Sequence, residues 1–363
     1  MARDLTPPRS GDTFGIPDDG DPRVPHVTGS GNIPWSGPAQ TRREGSRPSQ
    51  AGPNLSWPAR TGTLRSRNLG RGLRMFVRPA LDRMPADKGS LDRLRMLTSG
   101  AGRAAALEET SDWSSDGPVP GLWVGRKRFF ASDKVIYLLH GGGFTFGSPW
   151  SHKALASRLA SEVGVPAFLP DYRLAPEHPF PAAIEDAVAG WDWLLDMGFR
   201  PEDVVVVGDS AGGNLSLQLI AHLHAEGRPM PSGVSLLSPW VDMDIDDMSA
   251  RDRRRKDPFL AIGLVEVCRD QYAPGLDPSD PRISPVHLEP SPDWPPFLVQ
   301  CGGEEIFRGG IERLAERFAE YGVRHDFQVW PHQFHVFQAF HPLVPEAKLA
   351  TRDVGSFLRG CLR

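Results

Sequence analysis

Only three cysteines, Cys268, Cys301 and Cys361, occur in 363 residues. They are too few and too scattered for a disulfide framework or a zinc site, and they read as reduced thiols. No apolar run approaches bilayer-spanning length, so stable membrane insertion is not expected. The opening MARDLTPPRSGDTF lacks the charged and apolar regions of a secretory leader, and a cytoplasmic protein is expected. Neither charge dominates. With 41 Lys and Arg against 45 Asp and Glu, the formal net charge is −4, which leaves no basic field for a nucleic-acid partner. A G-x-G-x-x-G after the first strand of the α/β region is also missing, which counts against a nucleotide site. No metal-ligand spacing occurs, and no cofactor is expected.

What is present is unevenly spread. Residues 1–60 hold ten prolines and eight glycines with few large aliphatics. Such a segment cannot bury enough apolar surface to offset its ordering entropy, so it reads as a disordered or loosely ordered tail before a folded domain spanning 61–363. In 64–97, Leu69, Leu73, Phe76, Val77 and Leu81 recur at helical spacing, with arginines on much of the remaining surface. This predicts a helix packed on the protein, a basic membrane-surface helix being the alternative.

From residue 120 strand-like and helical segments alternate. Strands are predicted at 134–140, 166–173, 204–207, 233–240, 295–302 and 325–330, and helices at 152–164, 182–198, 214–227 and 311–322. The alternation implies an α/β protein with a mainly parallel sheet covered on both faces. Val204 to Val207 shows no polar alternation, as expected of a strand buried on both faces. Residues 241–294 break the rhythm with acids, prolines, the basic run RDRRRK (251–256) and one clear helix around 261–272. They read as an insertion above the sheet, with the basic run as a solvated face.

The valine strand delivers Gly208-Asp209-Ser210-Ala211-Gly212, a G-x-S-x-G between strand and helix. In that setting the serine sits on a sharp turn that projects its hydroxyl above the sheet, and its neighbours must be small. The helix start behind it favours developing negative charge. Upstream, His140-Gly141-Gly142-Gly143 closes the 134–140 strand, where backbone N–H groups can approach an oxyanion unobstructed. A base and an acid are expected in the chain order Ser, acid, His. The loop after 325–330 offers His332 and His335 as bases. His152, His325 and His341 read as structural. Phe144, Phe146, Trp150 and Trp240, near predicted strand ends, are candidates for an apolar substrate pocket, with core packing the alternative for Trp240.

HGGGFTFGS (140–148), DYRLAPEHPFPAAIEDA (171–187), GDSAGGNLS (208–216) and SPWVDMD (238–244) closely resemble the hormone-sensitive-lipase-like carboxylesterases of the α/β-hydrolase fold, over roughly residues 65–360. The resemblance implies Ser210 as nucleophile, with Gly142, Gly143 and Ala211 as oxyanion donors and His140 and Asp209 shaping the turns around them. It favours His335, which begins the family's His-apolar-Phe pattern, over His332. Glu305 fits the acid position of the family's glutamate version, with Glu304 as runner-up. Gly309 and Gly310 stand where the family usually has aspartates. Arg173 and Glu177 are implied to pair in a buried network, and 61–115 with about 241–294 to form a helical cap. The implied substrates are short- to medium-chain esters, and the implied assembly is a homodimer. Amide or small-peptide hydrolysis on the same triad is one alternative. A ligand-binding protein of this fold without the chemistry is another.

Overall fold

The computed structural model describes residues 55–56, 62–83, 88–105, 110–341 and 343–362. Most of the predicted tail lies outside them. Within it Leu55–Ser56 forms a two-residue strand, β1, parallel to the last strand of the sheet.

The remaining strands are β2 (Thr110–Ser114), β3 (Gly121–Gly125), β4 (Val135–Leu139), β5 (Ala167–Pro170), β6 (Val204–Asp209), β7 (Gly233–Leu237), β8 (Phe297–Gly302) and β9 (His325–Trp330). Their order is β1-β9-β8-β7-β6-β4-β5-β3-β2, antiparallel where β5, β3 and β2 pair and parallel elsewhere. Strand β2 therefore lies inside the stretch predicted as cap. TSDWS at β2 carries no apolar alternation, yet it pairs with β3 along its whole length, and Trp113 stacks on Trp150.

Side-chain alternation explains the valine run. Val204 and Val206 point into one core cluster, Val205 and Val207 into another on the opposite face. Burying each valine contributes roughly 1.5–3 kcal/mol. Helices α4 (Pro149–Val163) and α10 (Pro345–Cys361) supply the second face, and α5 (Ala182–Asp196) and α6 (Ala211–Ala225) the first. α4 starts with a reciprocal Ser148–Ser151 capping box and ends at Gly164, whose φ of 90° suits a left-handed C-cap.

Before the sheet come α1 (Leu64–Gly72), α2 (Arg78–Asp82) and α3 (Lys88–Ala105). Between α1 and α2, Leu73–Val77 is a π-helical turn. Its extra residue carries Phe76 off the inward face, leaving it 75% exposed against the helical-stripe expectation, whereas Leu73 is buried. The 241–294 insertion holds two helices, α7 (Asp246–Arg254) and α8 (Ile262–Tyr272), where one was expected. α7 escaped because DDMSARDRR buries only Met248 and Asp252. The two parts meet where Arg78 of α2, almost fully buried, pairs with Asp252 of α7 at 2.7 Å. Helix α9 (Arg308–Glu320) follows β8.

Candidate active site

Five neighbouring strands, β4, β6, β7, β8 and β9, release their chains at one edge of the sheet, the carboxyl end where α/β sheets place their ligands. β6 runs into Ser210, held at φ 53° and ψ −119°. A non-glycine residue there is strained and persists only where its surroundings fix it. Ser210 N donates to Leu237 O at 3.0 Å, and Ser210 O accepts from Trp240 N at 2.9 Å, tying the elbow to β7 and the loop after it. A Cβ on Gly212 would lie 1.9 Å from Leu139 O, so helix and strand approach too closely for any side chain.

His335 Nε2 lies 2.9 Å from Ser210 Oγ, and His335 Nδ1 lies 3.1 Å from Glu305 Oε2. All three side chains are buried. A carboxylate can only accept, so Nδ1 carries the proton and Nε2 is free to accept from the serine hydroxyl. Behind the imidazole, Val336 sits at φ 47° with its N–H on Ser238 Oγ, and Phe307 packs edge-on at 5.0 Å. The other acid and histidine are drawn elsewhere. Glu304 pairs with Arg74 at 2.7 Å and Arg255 at 2.5 Å, and its Oε1 lies 3.3 Å from His332 Nδ1. Burial works against its charge, but these partners hold its carboxyl below the usual range.

The loop after β4 supplies Gly142 at φ 125° and Gly143 at φ 59°. A Cβ on Gly142 would meet Phe146 O at 2.0 Å. Gly142 O accepts the N–H groups of Thr145 and Phe146, which closes the turn. Among the described residues no backbone carbonyl takes the N–H of Gly142 or Gly143. Ala211 N opens α6 beside the serine.

A buried polar set braces this loop. Gly141 N donates to Asp209 Oδ1 at 3.1 Å, and His152 Nε2 lies 3.1 Å from Asp209 Oδ2. Burial opposes charge on both side chains, yet their mutual attraction prevails and keeps Asp209 below and His152 above its ordinary pKa. His140 differs. Burial, with His152 nearby, pushes its pKa down to about 3, so it is neutral, stacked on Tyr172 at 4.2 Å. His152 is thus part of the site's support, which its lone position in the sequence did not signal.

A cavity of about 390 Å³ opens onto Ser210 and His335. Phe146 and Trp240 line it, joined by Phe259, Leu264 and Phe307. Phe144 and Trp150 do not. Phe144 is fully buried against Tyr272, with centroids 3.7 Å apart, and Trp150 stacks on Trp113. Being next to a strand end placed both near the site, but their side chains turn into packing. The implied Arg173–Glu177 pair is also absent. Arg173 faces the first turn of α5 and takes Asp186 at 2.8 Å and Glu185 at 2.9 Å, while Glu177 pairs with Arg95 of α3.

Comparison with known proteins identifies the family. The family described as alpha/beta hydrolase fold matches residues 135–339. The chain belongs to that family. An acetyl-hydrolase of Streptomyces hygroscopicus is 36% identical over 226 residues, covering 62% of this chain and 75% of that protein. An esterase of Acinetobacter venetianus is 35% identical over 228 residues, with the same coverage. The crystal structure of an esterase from the bacterial hormone-sensitive lipase family superposes with a TM-score of 0.75 at 32% identity, covering 84% of this chain and all of that one.

Two residues of this α/β hydrolase that hold the loop of Glu305 were not identified from sequence. Arg251, inside the run expected to be solvated, donates from Nε to Glu305 O and from Nη2 to Gly303 O. Asp257 is fully buried and accepts from the N–H groups of Phe259, Leu260 and Ile306. Burial raises its pKa to about 6 despite those donors. Arg251 and Glu305 stand 54 positions apart, and Asp257 and Ile306 49, so no spacing signalled these contacts.

Proposed function

We propose that this serine ester hydrolase cleaves short- to medium-chain carboxylic esters through an acyl-enzyme on Ser210. The observation that carries the reading is the hydrogen-bonded chain Ser210–His335–Glu305, at 2.9 and 3.1 Å, at the floor of a largely apolar cavity.

Ser210 Oγ attacks the ester carbonyl carbon as His335 Nε2 takes its proton. The carbonyl electrons move onto oxygen, which meets the N–H groups of Gly142, Gly143 and Ala211. Each such donor is worth about 3–4 kcal/mol in the transition state. Collapse of the adduct breaks the ester C–O bond, and His335 returns the proton to the leaving alcohol. Water then attacks the acyl-enzyme, again losing its proton to His335, and the second collapse releases the acid and restores the Ser210 hydroxyl. Glu305 stays ionised throughout, holding the imidazole tautomer and stabilising its charged form.

The cavity volume supports the chain-length assignment, since about 390 Å³ lies near the low end of small-molecule sites. Thr98 of α3 and Phe259, Leu260 and Leu264 of the insertion line it, which supports a cap built from both segments. The three free thiols, Cys268, Cys301 and Cys361, fit a cytoplasmic setting. The homodimer rests on the family resemblance and is tested by light scattering after gel filtration.

The test is hydrolysis of p-nitrophenyl acetate, butyrate and octanoate by wild type, Ser210→Ala, His335→Ala and Glu305→Gln. Ser210→Ala and His335→Ala are expected to lower kcat by roughly 10⁴-fold or more, and Glu305→Gln by about 10²–10⁴-fold. An unaffected Glu305→Gln with a crippled Glu304→Gln would move the acid by one residue. Faster turnover of a matched anilide would favour amide hydrolysis, and no turnover of any substrate would favour a binding protein.

A further inference from the structure

The oxyanion loop is gripped from outside the sheet. Arg95, on the N-terminal helix α3, reaches it with three of its nitrogens engaged. Nε donates to Thr145 O at 2.7 Å, and Nη2 to Ala175 O at 2.8 Å. Nη1 and Nη2 also clasp Glu177 at 3.1 and 2.8 Å. Asp92, one turn earlier, lies 3.6 Å from Nη1. Thr145 belongs to the turn that presents Gly142 and Gly143, because its N–H returns to Gly142 O at 3.0 Å. Ala175 N in turn donates to Phe144 O at 2.9 Å. The guanidinium therefore closes a ring of contacts joining α3, the glycine loop and the 175–177 turn.

That loop needs such a hold. Phe144, between the oxyanion glycines and Thr145, sits at φ 60°, a strained conformation for an aromatic residue that persists only where neighbours over-determine it. Packing on Tyr272 fixes its ring, its carbonyl accepts from Ala175 N, and Arg95 holds the Thr145 and Ala175 carbonyls beside it. The planar fork of arginine suits this task. Its separate nitrogens reach two carbonyls and a carboxylate set apart, a span that the compact ammonium of lysine does not cover.

We infer that Arg95 is a positioning residue for the oxyanion donors, which makes helix α3 a working part of the catalytic apparatus as well as a wall of the cavity. The inference rests on the proposed acyl transfer and adds a requirement to it. Arg95 touches no reacting atom. It acts by keeping the N–H groups of Gly142 and Gly143 aimed where charge develops, and a shift of about 1 Å there costs on the order of 100-fold in rate.

The test uses the full chain with Arg95→Met, Arg95→Lys and Glu177→Gln. Three quantities are read: kcat and KM for p-nitrophenyl butyrate, the thermal midpoint, and the affinity of an alkyl trifluoromethyl ketone. With that ketone, Ser210 Oγ adds to the carbonyl carbon, the hydroxyl proton passes to His335, and the carbonyl oxygen becomes the oxyanion. Arg95→Met is expected to lower kcat roughly 10- to 100-fold with KM nearly unchanged, and to weaken the ketone by a similar factor. Arg95→Lys should fall between. Glu177→Gln, which leaves both carbonyl contacts in place, should stay within about threefold of wild type.

Unchanged kcat in Arg95→Met overturns the inference. So does a fall in kcat that the ketone affinity does not follow, since that marks a merely structural residue. If Arg95→Met fails to fold, Arg95→Lys decides by the same two criteria. A wild type that hydrolyses no ester defeats the proposed substrate class instead, and the ketone titration alone then decides the role of Arg95.

Discussion

Arg251 Nε donates to the backbone carbonyl of Glu305 at 3.0 Å, so a residue of the insertion holds the main chain of the candidate triad acid. Its Nη2 takes Gly303 O at 3.2 Å, so the guanidinium spans the turn on which Glu305 sits. Arg251→Met keeps the apolar stem and removes both contacts. The expected outcome is a roughly tenfold fall in kcat with KM little changed, because orientation of the imidazole suffers while the cavity does not. Steady-state kinetics on p-nitrophenyl butyrate checks it, and a kcat within twofold of wild type would show that the turn holds itself.

Asp257 gives a pH signature to the other side of that turn. Its pKa is raised by burial from 3.8 to about 6. In the window between those values the folded state binds more protons than the unfolded state, so this group's contribution to stability falls as pH rises through the window. Between pH 5 and pH 7 the loss is about 1 kcal/mol. Urea unfolding of wild type and Asp257→Asn at both pH values isolates it. The difference between them should shift by about that amount in favour of wild type at pH 5. A difference that does not move with pH would mean that Asp257 is charged in the folded protein throughout.

His152 titrates in the same sense as Asp257, and Asp209 in the opposite one. His152 is raised above its ordinary 6.5, so its contribution is complete below that value and is lost as pH climbs through the folded pKa. Asp209 is depressed below 3.8, so its share is present above that value and is lost only in stronger acid. The ion pair is therefore strongest in mildly acidic solution. Asp209→Asn should cost about 3 kcal/mol at pH 6 and less at pH 9, with kcat falling as the Gly141 N–H loses a charged acceptor. Equal losses at the two pH values would mean that His152 is neutral in the fold.

These contacts also mark where the sequence stopped being readable. The β4 and β6 runs could be read because their residues alternate between two buried faces, and the elbow because Gly208 and Gly212 leave no room for a side chain. Ser210, His335 and Glu305 could be ordered by chain position and by resemblance. By contrast Arg78–Asp252 and Arg95–Glu177 join residues 174 and 82 positions apart, and nothing local announces either partner. The resemblance also misled. Arg173 and Glu177 stand four apart, yet the turn between them sends one toward α5 and the other toward α3. Polar elements such as β2 and α7 failed for another reason, since TSDWS and DDMSARDRR carry no apolar periodicity to read.

Trp240 and Phe307 stack with centroids 5.7 Å apart and planes 4° from parallel, and both line the cavity that opens onto Ser210. The same two side chains line a separate small void of about 10 Å³, bounded beyond them by Met248, Gly310 and Arg313. The stack is thus a partition between the two spaces, and a substrate chain bound at Ser210 is expected to end against it. Phe307→Ala should join the two spaces, at a stability cost of about 3–5 kcal/mol for the lost ring. Each methylene the enlarged site accommodates is worth roughly 1–3 kcal/mol of selectivity. The ratio of kcat/KM for p-nitrophenyl octanoate over butyrate should therefore rise about tenfold or more, with Phe307→Leu giving a smaller rise. Because Phe307 also packs on His335, turnover of both esters is expected to drop, and the ratio is the informative quantity. An unchanged ratio would place the end of the substrate chain against another wall of the cavity, such as Phe259 or Leu264.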